Sequence, residues 1–226
     1  MNAALPFFAA TVAIYALSKW LYRRKRTLWF SPTVFTPAVL VVLVELSHTP
    51  FAVYFQDTRW LTWLLGPATI AFAYPIYTQR ALLRRYPLTL AVGVLAGLGL
   101  GLASSWLLAR LFELPPDLTR SILPRSVSTP FAVSASAVFG GEQNLTVISV
   151  MITGLFGMLV GEVFLGWLGL RSGISRGAAL GAAAHGLGTA KAYEIGLEEG
   201  AVASLVMVFA GIAMVLLAPV LAHWVA

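Results

Sequence analysis

One apolar stretch, residues 175–194, carries side chains whose types could bind or transfer charge. It holds four polar side chains, those of His185, Thr189, Lys191 and Glu194. Ionisable groups are costly at membrane depth, so they usually face a cavity, a partner or a transport pathway. Gly186 and Gly188 weaken a continuous helix and let the backbone approach a ligand. The stretch therefore predicts a site at a break in a helix.

A second stretch, residues 123–132, places two prolines beside an arginine and several hydroxyl groups. Its candidate binding residues are Arg125, Ser126, Ser128 and Thr129. Proline removes a backbone donor, and an arginine is costly against lipid, so this sequence makes a poor lipid-facing helix. We expect a broken or re-entrant segment over residues 121–140. A similar break is predicted near Gly66 and Pro67, with Gly66 and Thr69 as candidate cavity residues.

Composition identifies the elements that must hold these groups. Of the 226 residues, 59% are hydrophobic and only 11% are charged, with a mean hydropathy of +0.84. Soluble domains carry about 25% charged residues, and a spanning helix needs roughly 20 apolar ones. The chain is therefore predicted to be an all-α integral membrane protein, with residues 1–226 forming a single polytopic transmembrane domain. We expect seven to eight hydrophobic segments, some broken or re-entrant, at about 5–22, 30–46, 60–79, 88–111, 121–140, 145–170, 175–194 and 200–224. Residues 47–59 are expected to form a polar and aromatic connection.

The net charge of +6 comes largely from basic clusters that follow apolar runs, at residues 19–26 and 80–85. Such clusters indicate the positive-inside rule rather than binding to nucleic acid. We therefore expect a multi-pass protein of the cytoplasmic (inner) membrane, with the lipid bilayer as its main surroundings.

Three threonines, Thr69, Thr129 and Thr189, stand sixty positions apart, and each ends a short motif in an irregular segment. Interrupted hydrophobic segments at corresponding positions are a sequence indication of a transporter site. The sequence therefore indicates internal repeats.

Enzyme chemistry finds little support in this sequence. It shows no Ser/His/Asp order, no pair of catalytic carboxylates, no phosphate loop and no cluster of metal ligands, and it contains no cysteine. We predict a protein that is not an enzyme and needs no cofactor or metal. Small residues at Gly93, Gly97 and Gly101 indicate close helix packing, and together with a glycine-rich face at 154–161 they fit a homodimer or higher homo-oligomer.

Five ordered motifs resemble the LrgB/CidB family of membrane proteins. They are Leu64-Leu-Gly-Pro-Ala-Thr69, Leu123-Pro-Arg-Ser-Val-Ser-Thr-Pro130, Arg176-Gly-Ala-Ala-Leu-Gly181, His185-Gly-Leu-Gly-Thr-Ala-Lys191 and Glu198-Glu-Gly200. The resemblance spans almost the whole chain. It departs at Arg125, where lysine is common in the family, and at Ala184, where serine is common. The arginine keeps the positive charge of an anion site.

The resemblance implies two functions. One is a carrier of small 2-oxo or 2-hydroxy acids, as implied by the similar plastidial glycolate/glycerate transporter and by members that transport pyruvate. The other is a holin- or antiholin-like pore or regulator of murein hydrolase export and lysis, with a small LrgA/CidA-like membrane partner. A pore needs no ordered anion site, so the candidate residues favour the carrier.

In the carrier interpretation, the residues around Arg125 bind a small carboxylate together with those around His185. We expect the segment with Arg125, Ser126, Ser128 and Thr129 to face the one with His185, Gly186, Gly188, Thr189 and Lys191, with Gly66 and Thr69 completing the cavity. His185 and Glu194 are the candidates for proton coupling, since the ordinary pKa of histidine is about 6.5. The alternatives are an interfacial Arg125, a structural Lys191–Glu194 pair and a core histidine bonded to the backbone.

Overall fold

The computed structural model describes residues 6–25, 27–71 and 73–225, and every regular element in those ranges is a helix. This confirms the predicted all-α class. The helices are α1 (Pro6–Arg24), α2 (Pro32–Leu46), α3 (Phe51–Trp63), α4 (Leu65–Ala71), α5 (Ala73–Thr78), α6 (Arg80–Arg85), α7 (Pro87–Leu111), α8 (Pro116–Ile122), α9 (Thr129–Phe139), α10 (Gln143–Trp167), α11 (Gly173–Ile195) and α12 (Leu197–Val225), with a short 3-10 helix at Leu28–Phe30. The chain divides into two compact units, residues 1–68 and 69–226, and each is described by itself. The single transmembrane domain stays a prediction.

The first unit is built from α1, α2 and α3. Ser18 of α1 and Thr36 of α2 share a buried hydrogen bond of 3.0 Å between their hydroxyls. The rings of Phe7 and Tyr54 meet edge to face, at 5.7 Å between centroids, and join α1 to α3. The predicted connection at residues 47–59 is wrong, because α3 begins at Phe51. Its polar residue Asp57 is buried in the helix rather than placed in a loop.

The proline-containing segment at residues 60–79 is broken, as predicted. A turn at Leu64 separates α3 from α4, and Pro67 follows within the first turn of α4, where its missing N–H costs no helical bond. The short helices α5 and α6 continue the segment.

Three helices within the described ranges are long and apolar enough to cross a membrane: α7, α10 and α12. All three belong to the second unit, and their lengths of 25 to 29 residues exceed the roughly 20 needed for a crossing. Together with the shorter apolar helices, they identify a membrane protein.

Residues 116–139 form a hairpin, here called the first hairpin, from α8, a tight turn and α9. The backbone N–H of Glu142 donates to the hydroxyl of Ser121 at 2.7 Å, and the hydroxyl of Thr146 donates to the carbonyl of Ser121 at 3.0 Å. After α9, the chain therefore returns to the position of Ser121, so that the start of α10 lies beside the end of α8. This geometry is the one expected for a re-entrant segment.

Residues 173–195 form a second hairpin, although the whole stretch is helical apart from its tip. Ala184 and His185 have non-helical backbone angles in the middle of α11. Beyond them the chain reverses, since Gly188 packs so tightly against the carbonyl of Leu180 that a Cβ would overlap it. The first arm lies beside the start of α12, where Gly181 packs against Ala203. The two candidate stretches of the sequence are thus the tips of two hairpins.

The two hairpins enter the second unit from opposite ends. The first stands at the N-terminal end of α10 and the second at its C-terminal end, because α10 connects them. Their tips meet near the middle of α7, where Ala182 packs against Gly97 and Ser126 packs against Gly101, one turn further on. A hairpin followed by a long helix thus occurs twice, in opposite directions, as in transporters built from inverted repeats. Thr129 and Thr189 both lie on returning arms.

Candidate functional site

Arg125 lies at the tip of the first hairpin, where three hydroxyl groups hold its guanidinium. Its Nε donates to Ser105 at 2.9 Å, and its two terminal nitrogens donate to Ser104 at 2.9 Å and to Thr153 at 3.2 Å. Ser104 and Ser105 belong to α7 and Thr153 to α10. Thr153 is near the middle of α10, so the positive charge lies at mid-depth between the long helices.

The hydroxyls that surround Arg125 are oriented by their own helices. Ser104 and Ser105 each donate to the carbonyl of Gly101, at 3.1 and 2.8 Å, and Thr153 donates to the carbonyl of Ser149 at 2.8 Å. Each hydroxyl has one proton, so only its lone pairs remain for the guanidinium. The side chain is therefore held in place by neutral groups.

Arg125 keeps hydrogen-bonding capacity for a ligand. A guanidinium has five N–H donors, and three are used here. One N–H remains on each terminal nitrogen, and no carboxylate of the described residues pairs with them. Two N–H groups on neighbouring nitrogens can bind both oxygens of a carboxylate. The arrangement can hold a small organic anion.

Two further hydroxyls beside Arg125 are buried without a hydrogen-bond partner among the described residues. Ser126 and Ser128 are each only 6% exposed, and the Oγ atom of each lacks a partner. Ser128 also precedes the first residue of α9, Thr129, and its side chain does not cap that helix. A buried unpaired polar atom is costly, and a helix N-terminus favours negative charge. Both features point to a ligand with acceptor atoms at this tip.

A groove of about 870 Å³ leads from Arg125 along the second unit. Its sides are α7 and α10, and its floor is the first arm of the second hairpin, through Ala178, Ala182 and their neighbours. Arg125, Ser126, Ser104 and Thr153 form its inner end. The glycines predicted to pack helices, at 93, 97, 101, 157 and 161, also line this groove, because they bring the floor close to both sides.

His185 is the tip of the second hairpin, and its backbone is strained. Its φ of 39° is in the left-handed region, which residues other than glycine seldom occupy. Its ring is buried, with Nε2 3.0 Å from the carbonyl oxygen of Val150 on α10. A carbonyl can only accept, so Nε2 carries a proton in this bond. Such strain concentrates at functional sites, where the surrounding structure holds it.

Lys191 lies on the returning arm of the second hairpin, where it meets two carboxylates. Its Nζ is 2.8 Å from Glu162 of α10 and 3.5 Å from Glu194 of the same arm. The ion pair with Glu162 ties this arm to α10. The sequence alone left the role of Glu162 open.

Two further predicted site residues, Gly186 and Thr189, lie on the returning arm of the second hairpin, beside α12. Thr189 donates to the sulfur of Met207 on α12 at 3.7 Å, and a Cβ at Gly186 would lie 3.9 Å from the same sulfur. Gly66 belongs to the first unit, and the side chain of Thr69 lies outside the described residues. The structure thus brings Arg125 and Ser126 to the groove wall, whereas the residues around His185 and Lys191 bind to α10 and α12 instead.

Sequence reasoning missed the three hydroxyls that hold Arg125: Ser104, Ser105 and Thr153. Their spacing carried no signal, because serine and threonine in apolar helices commonly bond to the preceding turn, as these do.

These features define an all-helical membrane protein with two opposed hairpins and a cation at their meeting point. The LrgB-like family model matches residues 11–224, and the chain belongs to this family. Among similar relatives, the uncharacterized protein YxaC of Bacillus subtilis is 38% identical over 85% of this chain and 84% of its own. The antiholin-like protein LrgB of Bacillus subtilis is 29% identical over 95% and 94%, and the holin-like protein CidB of Staphylococcus epidermidis is 27% identical over 93% and 92%. No solved structure matches the chain.

Proposed function

We propose that the protein is a carrier, not an enzyme, for small monocarboxylates of the glycolate, glycerate and pyruvate class. It would be a multi-pass protein of the cytoplasmic (inner) membrane. The observation that carries this proposal is Arg125, a cation at mid-depth that three hydroxyls hold in place, while two of its N–H groups have no partner among the described residues. A charge at membrane depth is costly, and a transported anion would offset that cost.

The surroundings of Arg125 support a carboxylate in particular. The two unused N–H groups suit its two oxygens, and the hydroxyls of Ser126 and Ser128 would supply further bonds. The N-terminus of α9 adds a positive dipole end at the same tip. A single negative charge would balance the site.

The two opposed hairpins support alternating access. Each reaches the middle of α7 from its own end of the unit, so movement of one hairpin at a time would open the site to one side at a time. The strained backbone at His185 marks the tip of the second hairpin as a point where that movement would begin.

Proton coupling would involve His185, with Glu194 as a second candidate. Nε2 of His185 is engaged with Val150, which leaves Nδ1 to take up a proton as the site changes. We expect the pH dependence of uptake to flatten in His185→Gln. The same pH profile in His185→Gln as in the unsubstituted protein would contradict this role.

A holin- or antiholin-like activity is the second candidate, and the relatives' names, holin-like protein CidB and antiholin-like protein LrgB, favour it. In that case the chain would act as a pore or as a regulator of murein hydrolase export and lysis. Either function is compatible with a homo-oligomer and with a small LrgA/CidA-like membrane partner.

The test is uptake by liposomes that contain the purified protein. Labelled pyruvate, glycolate and glycerate would be supplied outside, with a large neutral dye trapped inside as the control for a pore. We expect saturable uptake, retention of the dye, and loss of uptake in Arg125→Gln. Arg110→Gln is the matched control, because Arg110 is an exposed arginine on α7 that stacks on Trp106. Dye leakage without saturation would refute the carrier and favour the pore.

A further inference from the structure

The groove beside Arg125 is far larger than a two- or three-carbon acid. Pyruvate has six heavy atoms, which at roughly 30 Å³ each, the share of one water molecule, occupy about 180 Å³. The groove holds about 870 Å³, so such an acid would fill about a fifth of it. The remaining volume needs an occupant.

The walls of the groove show what kind of occupant would suit it. Between its inner end and its outer rim, the side chains on α7 and α10 are apolar. They include Val92, Ala96, Leu100, Ile152, Phe156 and Val160. The floor between them is alanine as far as Ser175 at the outer rim, and the glycines of the lining belong to α7 and α10. A route for a strongly hydrated acid would offer polar groups along this length, and this groove does not.

The polar lining is confined to the two ends of the groove. Arg125 and its hydroxyl neighbours stand at the inner end, and Thr89 and Ser175 stand at the outer rim. Thr89 and Ser104 are separated by fifteen residues of α7, so the groove is about 22 Å long at 1.5 Å per residue. An anionic head at one end and an apolar chain along the rest would match this distribution.

A membrane phospholipid does not meet both requirements. Its phosphate lies at the membrane surface, whereas Arg125 is level with Thr153, which is the eleventh of the 25 residues of α10. The centre of a 25-residue helix is about 18 Å from either end. An occupant that pairs with Arg125 must therefore bring its negative charge to mid-depth, as a free acid can.

We propose that the site prefers monocarboxylates with an apolar chain of about four to eight carbons, linear or branched. The carboxylate binds Arg125, and the chain lies along Leu100, Ala96 and Phe156 toward the outer rim. This inference rests on the proposed function, a monocarboxylate carrier with its site at Arg125, and moves the preferred substrate of that site from two- and three-carbon acids to longer, more apolar ones. Pyruvate would be among the shortest of the acids that bind, and glycerate, with its added hydroxyls, would gain nothing from the groove.

Binding of labelled acetate, butanoate and hexanoate to the protein in lipid nanodiscs tests the proposal without requiring transport. A buried methylene contributes about fourfold in affinity, so hexanoate should bind on the order of a hundredfold more tightly than acetate. Unlabelled 1-hexanol, which lacks the carboxylate, should not displace hexanoate. Arg125→Gln should weaken the binding of all three acids.

A bulky side chain in the groove should remove the advantage of the longer acid. Ala96→Phe narrows the groove, and we expect it to reduce the preference for hexanoate over acetate at least tenfold while acetate binds as before. Ala103→Phe is the matched control, because Ala103 is an exposed alanine on α7 that lies outside the groove. Equal affinities for acetate and hexanoate in the unsubstituted protein would overturn the proposal. So would equal effects of the two substitutions.

Two other outcomes separate this inference from the proposed function. If pyruvate uptake saturates but affinity does not rise with chain length, the carrier stands and the preference for an apolar chain is wrong. If affinity rises with chain length and depends on Arg125 but no acid is taken up, the binding site stands and the carrier is wrong. A preference that appears in detergent but is lost in nanodiscs would mean that lipid chains fill the groove, which also overturns the proposal.

Discussion

The ion pair between Lys191 and Glu162 should hold the returning arm of the second hairpin against α10. Lys191 is six residues beyond the strained tip, and its Nζ lies 2.8 Å from Glu162. We predict that Glu162→Gln loosens this arm. Glu194→Gln is the matched control, because it removes the other carboxylate near Lys191, at 3.5 Å, within the same arm and without untying the arm from α10.

The expected size of the effect follows from the exposure of the pair. The side chain of Lys191 is 24% exposed and that of Glu162 is 47% exposed, so water screens part of the attraction. Pairs of this kind contribute about 0.2–1 kcal/mol, and the mostly buried lysine places this one near the upper end. Because 1 kcal/mol is a factor of about five in an equilibrium constant, the open arm should become up to about five times more populated.

Thiol labelling can measure that population, because the chain contains no cysteine. Ala192→Cys would place a reporter on the returning arm, where Ala192 is fully buried, and Ala132→Cys would place one at an equally buried position of the first hairpin. The labelling rate of a buried thiol follows the open population when opening and closing are fast. We expect Glu162→Gln to speed labelling at residue 192 by up to about fivefold and to leave labelling at residue 132 unchanged.

Exchange of the two charges provides the decisive comparison. In the double variant Lys191→Glu with Glu162→Lys, the attraction is rebuilt, so labelling at Ala192→Cys should be slower than in either single variant. If labelling in the double variant is as fast as the effects of Lys191→Glu and Glu162→Lys added together, the ion pair does not hold the arm. Glu194→Gln should change the rate less than twofold, and a change as large as that in Glu162→Gln would also contradict it.

Three further predictions concern the hairpins and the start of α10. Gly188→Val should prevent the arms of the second hairpin from closing, because its side chain would overlap the carbonyl of Leu180, and uptake should be lost even if the protein reaches the membrane. Thr146→Val removes a buried hydroxyl that donates to Ser121 at the base of the first hairpin, and should lower the free energy of unfolding by about 1–3 kcal/mol in denaturant titrations. The N–H groups of Leu145 and Asn144 lower the pKa of Glu142 below its ordinary 4.5, so its stabilising effect is present at neutral pH and lost as the pH falls through that lowered pKa. The difference in melting temperature between the unsubstituted protein and Glu142→Ala should therefore disappear in acid.

Much of this fold could be predicted, because the length of an apolar run indicates the length of a membrane helix and because proline and glycine indicate where a helix breaks. The long helices α7, α10 and α12 agree with the apolar runs at 88–111, 145–170 and 200–224 to within a few residues. The breaks followed from proline, which lacks a backbone N–H, and from glycine, which weakens a helix. The helix at residues 51–63 was missed because polar residues indicate a loop only when they face water, and Asp57 faces the interior of its unit.

The candidate site was predicted in part. The tips were found because arginine, histidine and glycine are rare and costly in such surroundings. What could not be read from the sequence was the direction in which each tip points. Arg125 reaches the groove, whereas His185, whose φ is positive, directs its Nε2 to the backbone of α10. Local sequence does not encode a conformation that the surrounding packing imposes.

The distribution of polar groups bears on the choice between a carrier and a pore. An aqueous pore needs polar groups along its whole length, and within the described part of the second unit the groove offers them only at its inner end and outer rim. The groove ends at Arg125. Behind this residue the first hairpin is packed in the hydrophobic core through Leu123, Val127 and Phe131. A path through one chain would therefore require the first hairpin to move while the second stays closed, which is the condition that distinguishes a carrier from a pore. A pore would have to form between chains. Protein held in monomeric form should therefore still carry acid if the carrier is correct, and should be inactive if the function is that of a pore.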